Sequence, residues 1–467
     1  MAASRLLKKP KNCLLTRAAR KRAIEFTGSY RAATARERGL GGLLQQPASS
    51  MADGRERNEA VNHSTCAVIL RAGHHGGLGI VRSLGRLGVP VYCVDAHWEP
   101  AFSSRYCRGR FVLDTDNGRP KESIDTLLEI GRRLAGRPIL IPTTDRGAMW
   151  VADHADALHE RYCFPCQDAD LVRRLCDKGR MQDLARRNGV PTAQGMLPQS
   201  KEDLEKFLET ARFPVMVKAI DADRLRRRAG GTKFVIQTPR QLLALYAKAE
   251  DREEPNLLIQ EFIPGDDWMF DGYFDKNSRC IFGVTGKKIR RFPVNTGVTS
   301  LGVCHRNDTV ERTTIEFMKA IGYHGILDIG YRFDRRDGQY KVLDVNPRIG
   351  CTFRLFTATN GMDAARALYL DMTGQSVAPS QAAEGRKWIV EDFDLFSALR
   401  SVRDRALRVE DWVRSLRGVQ EAACFALDDP LPFLLMGVAD CCELYRWICC
   451  QEKPGSLRRA LQPAAQD

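Results

Sequence analysis

No stretch of the sequence stays apolar for the roughly 20 residues a membrane-spanning helix needs. Phe433 to Ala439 comes nearest and is far too short. Nothing repeats internally. The 15 cysteines keep no scaffold rhythm, and a chain this long needs no disulfide staples, so a reducing cytoplasm is expected. Cys163-Phe-Pro-Cys166 has no second pair at zinc spacing, and Cys441-Cys442 and Cys449-Cys450 read as packed helix residues. There is no nucleophile elbow and no Ser-His-Asp constellation. The first 24 residues hold no acidic residue.

What is present suits a soluble globular protein of 467 residues, 43% hydrophobic and 28% charged, with room for two to four domains. The net charge of +14 points first to nucleic acid, but residues 1–57 alone supply +9 of it. The rest of the chain is close to balanced, so no nucleic-acid partner is expected. Residues 1–62 read as a basic, disordered and dispensable head. Transit peptide, basic arm and extension before a second start at Met51 are its other readings.

The most informative stretch is Gly325 to Arg348, GILDIGYRFDRRDGQYKVLDVNPR. With period two, Leu327, Ile329, Tyr331 and Phe333 share one face, while Ile326, Asp328, Gly330 and Arg332 share the other. A polar turn ending in Gly338 makes the segment an antiparallel hairpin. A turn centred on Arg336 sets Asp328 opposite Asp344, with Cβ atoms roughly 4.5–5.5 Å apart. That like-charge pairing needs a cation between its members. Asn346 adds an amide oxygen on the same face, and two carboxylates with an amide oxygen are hard ligands suited to Mg2+, with Mn2+ as an alternative ion. Arg348 follows at once and offers a bidentate grip on an anionic oxygen. A surface hairpin with solvated aspartates is the plainer alternative.

Upstream, Ala67 to Leu70, a glycine-rich turn over Gly73 to Gly79, a helix over Ile80 to Leu87 and the strand Val89 to Asp95 make a βαβ start. The glycine spacing is not G-x-G-x-x-G, which weakens a nicotinamide reading. Ile139 to Asp145 is a further strand ending at the same edge. Phe213-Pro-Val-Met-Val-Lys218 is an apolar strand carrying one lysine, and a charge in such a run needs a partner. Lys178 opens an amphipathic helix that Gly189-Val-Pro191 breaks.

In this order the parts resemble the ATP-grasp superfamily, whose last metal-binding strand carries an acidic-x-Asn-Pro-Arg pattern matched by Asp344-Val-Asn346-Pro-Arg348. The chain looks most like the carboxylate–amine ligase-like branch. The resemblance covers roughly residues 66 to 375 and implies an α/β and α+β protein. A basic head (1–62) would precede a Rossmann-like domain (63–170), a two-lobed ATP-grasp module (171–375) and a small C-terminal α/β subdomain (376–467). It implies that Lys178 and Lys218 reach ATP phosphates, that Gln260, Glu261 and Ile263 hold adenine at the interlobe connection, and that Asp267 takes the ribose. Asp328, Asp344 and Asn346 would bind Mg2+, with Arg348 and Lys218 neutralising charge in catalysis. Two departures stand out: Asp344 where glutamate is commoner, and a flap over Asp221 to Thr232 with only two glycines and with Arg226, Arg227 and Arg228. The basic loop Gly286 to Gly297 either faces an anionic substrate or is exposed.

The implied activity is ATP- and Mg-dependent coupling of a small carboxylate, activated as an acyl phosphate, to an amine, with amino acids among the candidate substrates. A carboxyphosphate-forming carboxylase and a catalytically weak ATP-binding module are the rivals. The tail from Trp388 shows no chemistry, and packing on the module or homo-oligomer formation are the roles open to it.

Overall fold

The architecture follows from three sets of apolar strands that each need cover. Four of them, β1 (Ala67–Leu70), β2 (Val91–Asp95), β3 (Cys107–Val112) and β4 (Ile139–Pro142), form a parallel sheet in the order β3-β2-β1-β4. Every residue of β1 is buried, as expected for a parallel strand covered on both faces. The order reverses between β1 and β4, the kind of edge at which α/β sheets collect ligands.

The computed structural model describes residues 61–115, 120–220, 222–231, 233–250, 254–294 and 297–438. Residues 1–60 of the basic head, the pairs Cys441-Cys442 and Cys449-Cys450, and the flap and loop residues Asp221, Thr232, Asn295 and Thr296 lie outside the described residues.

The expected glycine-rich turn is not a turn. The helix His74–Arg86 begins directly after Gly73 and carries Gly76, Gly77 and Gly79 within it. Their reason is close packing: a Cβ on Gly77 would sit 2.1 Å from the Ala72 carbonyl oxygen, and one on Gly79 would sit 2.9 Å from the Phe353 ring. Gly76 and Gly79 let this helix approach the segment that follows the hairpin of strands Gly325–Asp334 and Gln339–Asn346, at Cys351 and Phe353.

A second sheet, antiparallel, joins β5 (Gly195–Met196), β6 (Val215–Ala219), β7 (Lys233–Ile236) and β8 (Leu257–Glu261) in the order β5-β8-β6-β7. Between β6 and β7 the chain forms the helix Ala222–Ala229. The expected flap is therefore mostly helical, and its alanines and arginines are good helix formers.

The third sheet has seven strands: β9 (Asp267–Phe274), β10 (Cys280–Phe292), β11 (Val298–Cys304), β12 (Gly325–Asp334), β13 (Gln339–Asn346), β14 (Lys387–Ile389) and β15 (Val419–Ala422), in the order β13-β12-β9-β10-β11-β14-β15. The whole of β9 is buried. Trp268, Phe270 and Phe274 enter one apolar core, and Met269 and Tyr273 enter the other. The short strands β14 and β15 continue this sheet. Arg82, buried on the helix His74–Arg86, donates from Nε to Asp429 Oδ2 at 2.9 Å, which ties that helix to the chain beyond β15.

Two expectations about the third sheet are corrected. The segment from Gly286 was read as a loop, but β10 runs unbroken as far as Phe292. In the hairpin, Asp328 stands opposite Asn346, not Asp344, and Asp344 stands opposite Gly330. The turn is four residues long, and the register shifts by one more between Gly330 and Tyr331, where Leu343 is left without a partner. Together these move the pairing by two, so Asp328 and Asp344 keep the same face but are diagonal neighbours.

Candidate active site

The second and third sheets leave a cavity of about 520 Å³ between them. Lys178, Lys218, Gln260, Glu261, Ile263, Asp267, Asp328, Asp344, Asn346 and Arg348 all line it. Residues spread over 170 positions of sequence thus meet in one space, although none of their roles is fixed by that alone.

One group of lining residues ends β8, Gln260 and Glu261, or follows it, Ile263 and Asp267. Gln260 is buried, and its amide Nε2 has no hydrogen-bond partner, so a donor waits there for an acceptor. The Glu261 carboxylate is already engaged: it accepts from the Gln194 amide at 3.0 Å, from Lys341 Nζ at 3.0 Å and from Arg336 Nη2 at 2.6 Å. Its main-chain amide also donates to the Gln194 carbonyl oxygen at 2.8 Å. The Ile263 carbonyl oxygen accepts from Arg332 Nη1 at 3.4 Å. Asp267 opens β9 and is clamped by Arg332 Nε and Arg291 Nη1, each at 2.6 Å.

Four lysines also line the cavity. Lys218 on β6 pairs in register with Lys233 on β7, and Lys178 starts the helix Lys178–Arg187, where its Nζ reaches the Ala219 carbonyl at 3.4 Å. Lys288 comes from β10. A bulge between Lys288 and Arg290 puts Lys288 and Arg291 together on the cavity wall, while Arg290 turns away to Asp394 at 2.7 Å. Burial, reinforced by Lys178, pushes Lys218 down to about 8. The same causes, with Lys218 added, push Lys233 well below the usual lysine range. Burial by itself would raise Asp344, but Lys288, Lys233, Lys218 and Lys178 together hold its carboxyl below the usual range. Four basic side chains around one carboxylate are an excess of basic groups that suits a polyanion, whose charge would favour their protonated forms.

Asp328, Asn346 and Arg348 form a linked group. Asn346 Nδ2 donates to Asp328 Oδ2 at 3.2 Å, and Arg348 Nη1 donates to the same oxygen at 3.3 Å. Burial pushes the Asp328 carboxyl up, with Arg348 opposing and Asp344 adding to the rise. Arg348 donates its Nε to Asp145 Oδ1 at 2.9 Å. Its guanidinium is held even more firmly charged than usual, because Asp145 and Asp328 outweigh the effect of burial. Among the described residues no three His, Cys, Asp or Glu side chains cluster as a metal site. The candidate set is two carboxylates and an amide, the hard, incomplete oxygen shell that Mg2+ accepts when phosphate supplies the rest.

Sequence reasoning missed Lys233 as a member of this cavity; of the other lining residues, Arg332 falls on the face it shares with Asp328, Lys288 and Arg291 fall in the basic segment left open between facing a substrate and exposure, and Asp145 ends the strand read over Ile139 to Asp145. For Lys233 a signal existed: like Lys218, it is a charge attached to an apolar strand. Arg226, Arg227 and Arg228 are exposed and line none of the cavity.

Comparison with known proteins bears on the fold. No protein-family model matches the sequence. D-aspartate ligase from Enterococcus faecium is 25% identical over 259 residues, 52% of this chain and 61% of that protein. The chain thus spans about three fifths of that relative's length. Among solved structures, N5-carboxyaminoimidazole synthetase from Staphylococcus aureus, complexed with ADP, superposes with a TM-score of 0.55 at 14% identity, covering 70% of this chain and 82% of that one. The biotin carboxylase domain of Hydrogenobacter thermophilus 2-oxoglutarate carboxylase, in complex with MgADP and bicarbonate, gives 0.54 at 16% identity, covering 69% and 73%.

Proposed function

The chain has the ATP-grasp fold of the carboxylate–amine ligases, and from that premise we propose that it is an ATP- and Mg2+-dependent ligase that joins a small carboxylate to an amine. The observation that carries the reading is the four-lysine ring around Asp344, beside Asp328, Asn346 and Arg348 in one cavity.

In this reading residues 171–375 form the ATP-grasp module and residues 63–170 help to hold the acceptor. Gln260 Nε2 donates to the adenine edge, the main chain of Glu261 and Ile263 flanks the base, and Asp267, held in place by two arginines, accepts from the ribose. Lys178, Lys218, Lys233 and Lys288 face the phosphates. Asp328, Asp344 and Asn346 would hold Mg2+, which supplies Lewis-acid neutralisation of phosphate charge when bound. An acceptor carboxylate oxygen attacks the γ-phosphorus, the bond from that phosphorus to the β–γ bridging oxygen breaks, and ADP leaves. The amine then attacks the acyl carbon of the acyl phosphate and loses a proton as phosphate departs. Lys218 and Arg348 stabilise the charge that develops, so the protein's share is positioning and electrostatics.

The test is ADP release with Mg-ATP against pools of amino acids and other small carboxylic acids, with Asp344→Ala alongside. Pool-dependent release that falls by roughly 100-fold or more in the variant is expected, the scale of losing one preorganised electrostatic contact. Release that depends on bicarbonate alone would replace this reading with the carboxyphosphate one. ATP binding that no pool converts to release would favour a nucleotide-binding module.

A further inference from the structure

We propose that Asp145 is a positioning residue that holds Arg348 back from Asp328, leaving Asp328 to a divalent cation. The inference rests on the metal-site reading above. Asp145 belongs to the parallel sheet's side of the protein, three residues beyond β4 and at the first position of the helix Asp145–Asp153. Thr144 caps that helix by accepting from the Gly147 amide at 3.0 Å, which fixes the backbone carrying Asp145. Asp145 lines the same cavity as Asp328.

The distances show a competition with a preferred side. Arg348 Nε lies 2.9 Å from Asp145 Oδ1, whereas Nη1 lies 3.3 Å from Asp328 Oδ2 and 3.3 Å from the Ile349 carbonyl. The shorter contact goes to Asp145. The longer one falls on the Asp328 oxygen that also accepts from Asn346. The Arg348 side chain is only 10% exposed, and those of Asp145 and Asp328 are each 17% exposed. A guanidinium so nearly buried must keep an anionic partner. With Asp145 gone, Asp328 is the carboxylate left in its reach. The arginine would then close on Asp328 and occupy an oxygen the cation needs. In the intact protein, the parallel sheet supplies the anion that spares the metal ligand.

The experiment reads metal binding instead of turnover. Mn2+ is titrated into the full-length protein at fixed ADP, following free Mn2+ by electron paramagnetic resonance, for wild type, Asp145→Ala, Arg348→Gln and the double variant. Asp145→Ala is expected to weaken Mn2+ binding roughly tenfold, within the range typical for residues that orient a metal ligand. The double variant should bind about as well as Arg348→Gln alone, because the competitor is gone. A merely structural loss would not be reversed by removing Arg348. Should Asp145→Ala fail to fold, Asp145→Asn carries the same comparison with the shape kept. Wild-type affinity in the Asp145 variant, or a double variant as weak as Asp145→Ala, overturns the proposal. A wild-type protein that binds no Mn2+ with ADP overturns the metal-site reading and this inference with it.

Discussion

Gly330 faces Asp344 across β12 and β13, and a Cβ on residue 330 would come within 2.5 Å of Asp344 Oδ1. The absence of a side chain is what gives this carboxylate its place. Gly330→Ala must therefore push Asp344 off its position or move the strand. Overpacking of this kind costs about 1–3 kcal/mol, but the larger effect should fall on the cation. Metal affinity is expected to drop roughly 10- to 100-fold, while thermal melts shift by only a few degrees. A variant that binds Mn2+ like the wild type would remove Asp344 from the proposed ligand set.

On the proposed reading, Lys218 would link nucleotide binding to pH. Its folded value of about 8 arises from burial first and Lys178 second. A phosphate arriving beside it favours the ammonium form and raises that value. The complex then holds more protons than the free protein, so affinity for ATP should fall as pH rises above about 8. Calorimetry in buffers of different ionisation enthalpy should show proton uptake on binding in that range. Lys218→Arg should remove most of it, because a guanidinium stays charged. Proton uptake that persists in Lys218→Arg would assign the effect elsewhere.

Lys233 should show opposite effects on stability and on binding. It stands opposite Lys218 in register, with both side chains on the cavity, and like charges directly opposite each other destabilise a sheet. Lys233→Met is expected to stabilise the unliganded protein by about 1 kcal/mol and to weaken ATP binding more than AMP binding. Urea unfolding and nucleotide titration check the two halves. A stabilised variant with unchanged ATP affinity would leave Lys233 outside the phosphate site.

The parts that were legible in the sequence were those dominated by one local rule. Alternation placed Asp328, Gly330 and Arg332 on the cavity face of β12, and a solitary charge in an apolar run identified Lys218. The hairpin's register was not legible, because the unpaired Leu343 depends on how β13 meets its neighbour and not on any residue type. The same holds for β10: its Lys287, Lys288, Arg290 and Arg291 read as a loop that either faces a substrate or is exposed, and only the strand's bulge decides that Lys288 and Arg291 face a cavity while Arg290 is paired with Asp394. The glycines of the first helix were misread for a related reason. A turn and a close helix contact both demand a missing Cβ, and only the Ala72 carbonyl and the Phe353 ring decide between them. Asp145 could be placed at the ligand-collecting edge of the parallel sheet, but its bond to Arg348, 203 positions away, is purely tertiary.

Glu99 gives the clearest prediction for stability against pH. It lies four residues beyond β2, and burial, then Asp95, push its carboxyl up to about 7, with Arg71 opposing. The folded protein therefore holds this proton over a range in which the unfolded chain, at 4.5, has released it. An acid raised on folding is least costly where both states are protonated. Its cost grows as pH rises from 4.5 and levels off above about 7. Taken alone the shift corresponds to at most about 3 kcal/mol, and partial solvent access reduces that. Glu99→Gln keeps the shape and removes the titration, so the variant should match wild type near pH 4.5 and become progressively the more stable of the two towards pH 7. Urea unfolding at several pH values measures the difference directly. Two profiles that run parallel across the window would show that Glu99 titrates alike in the folded and unfolded chains.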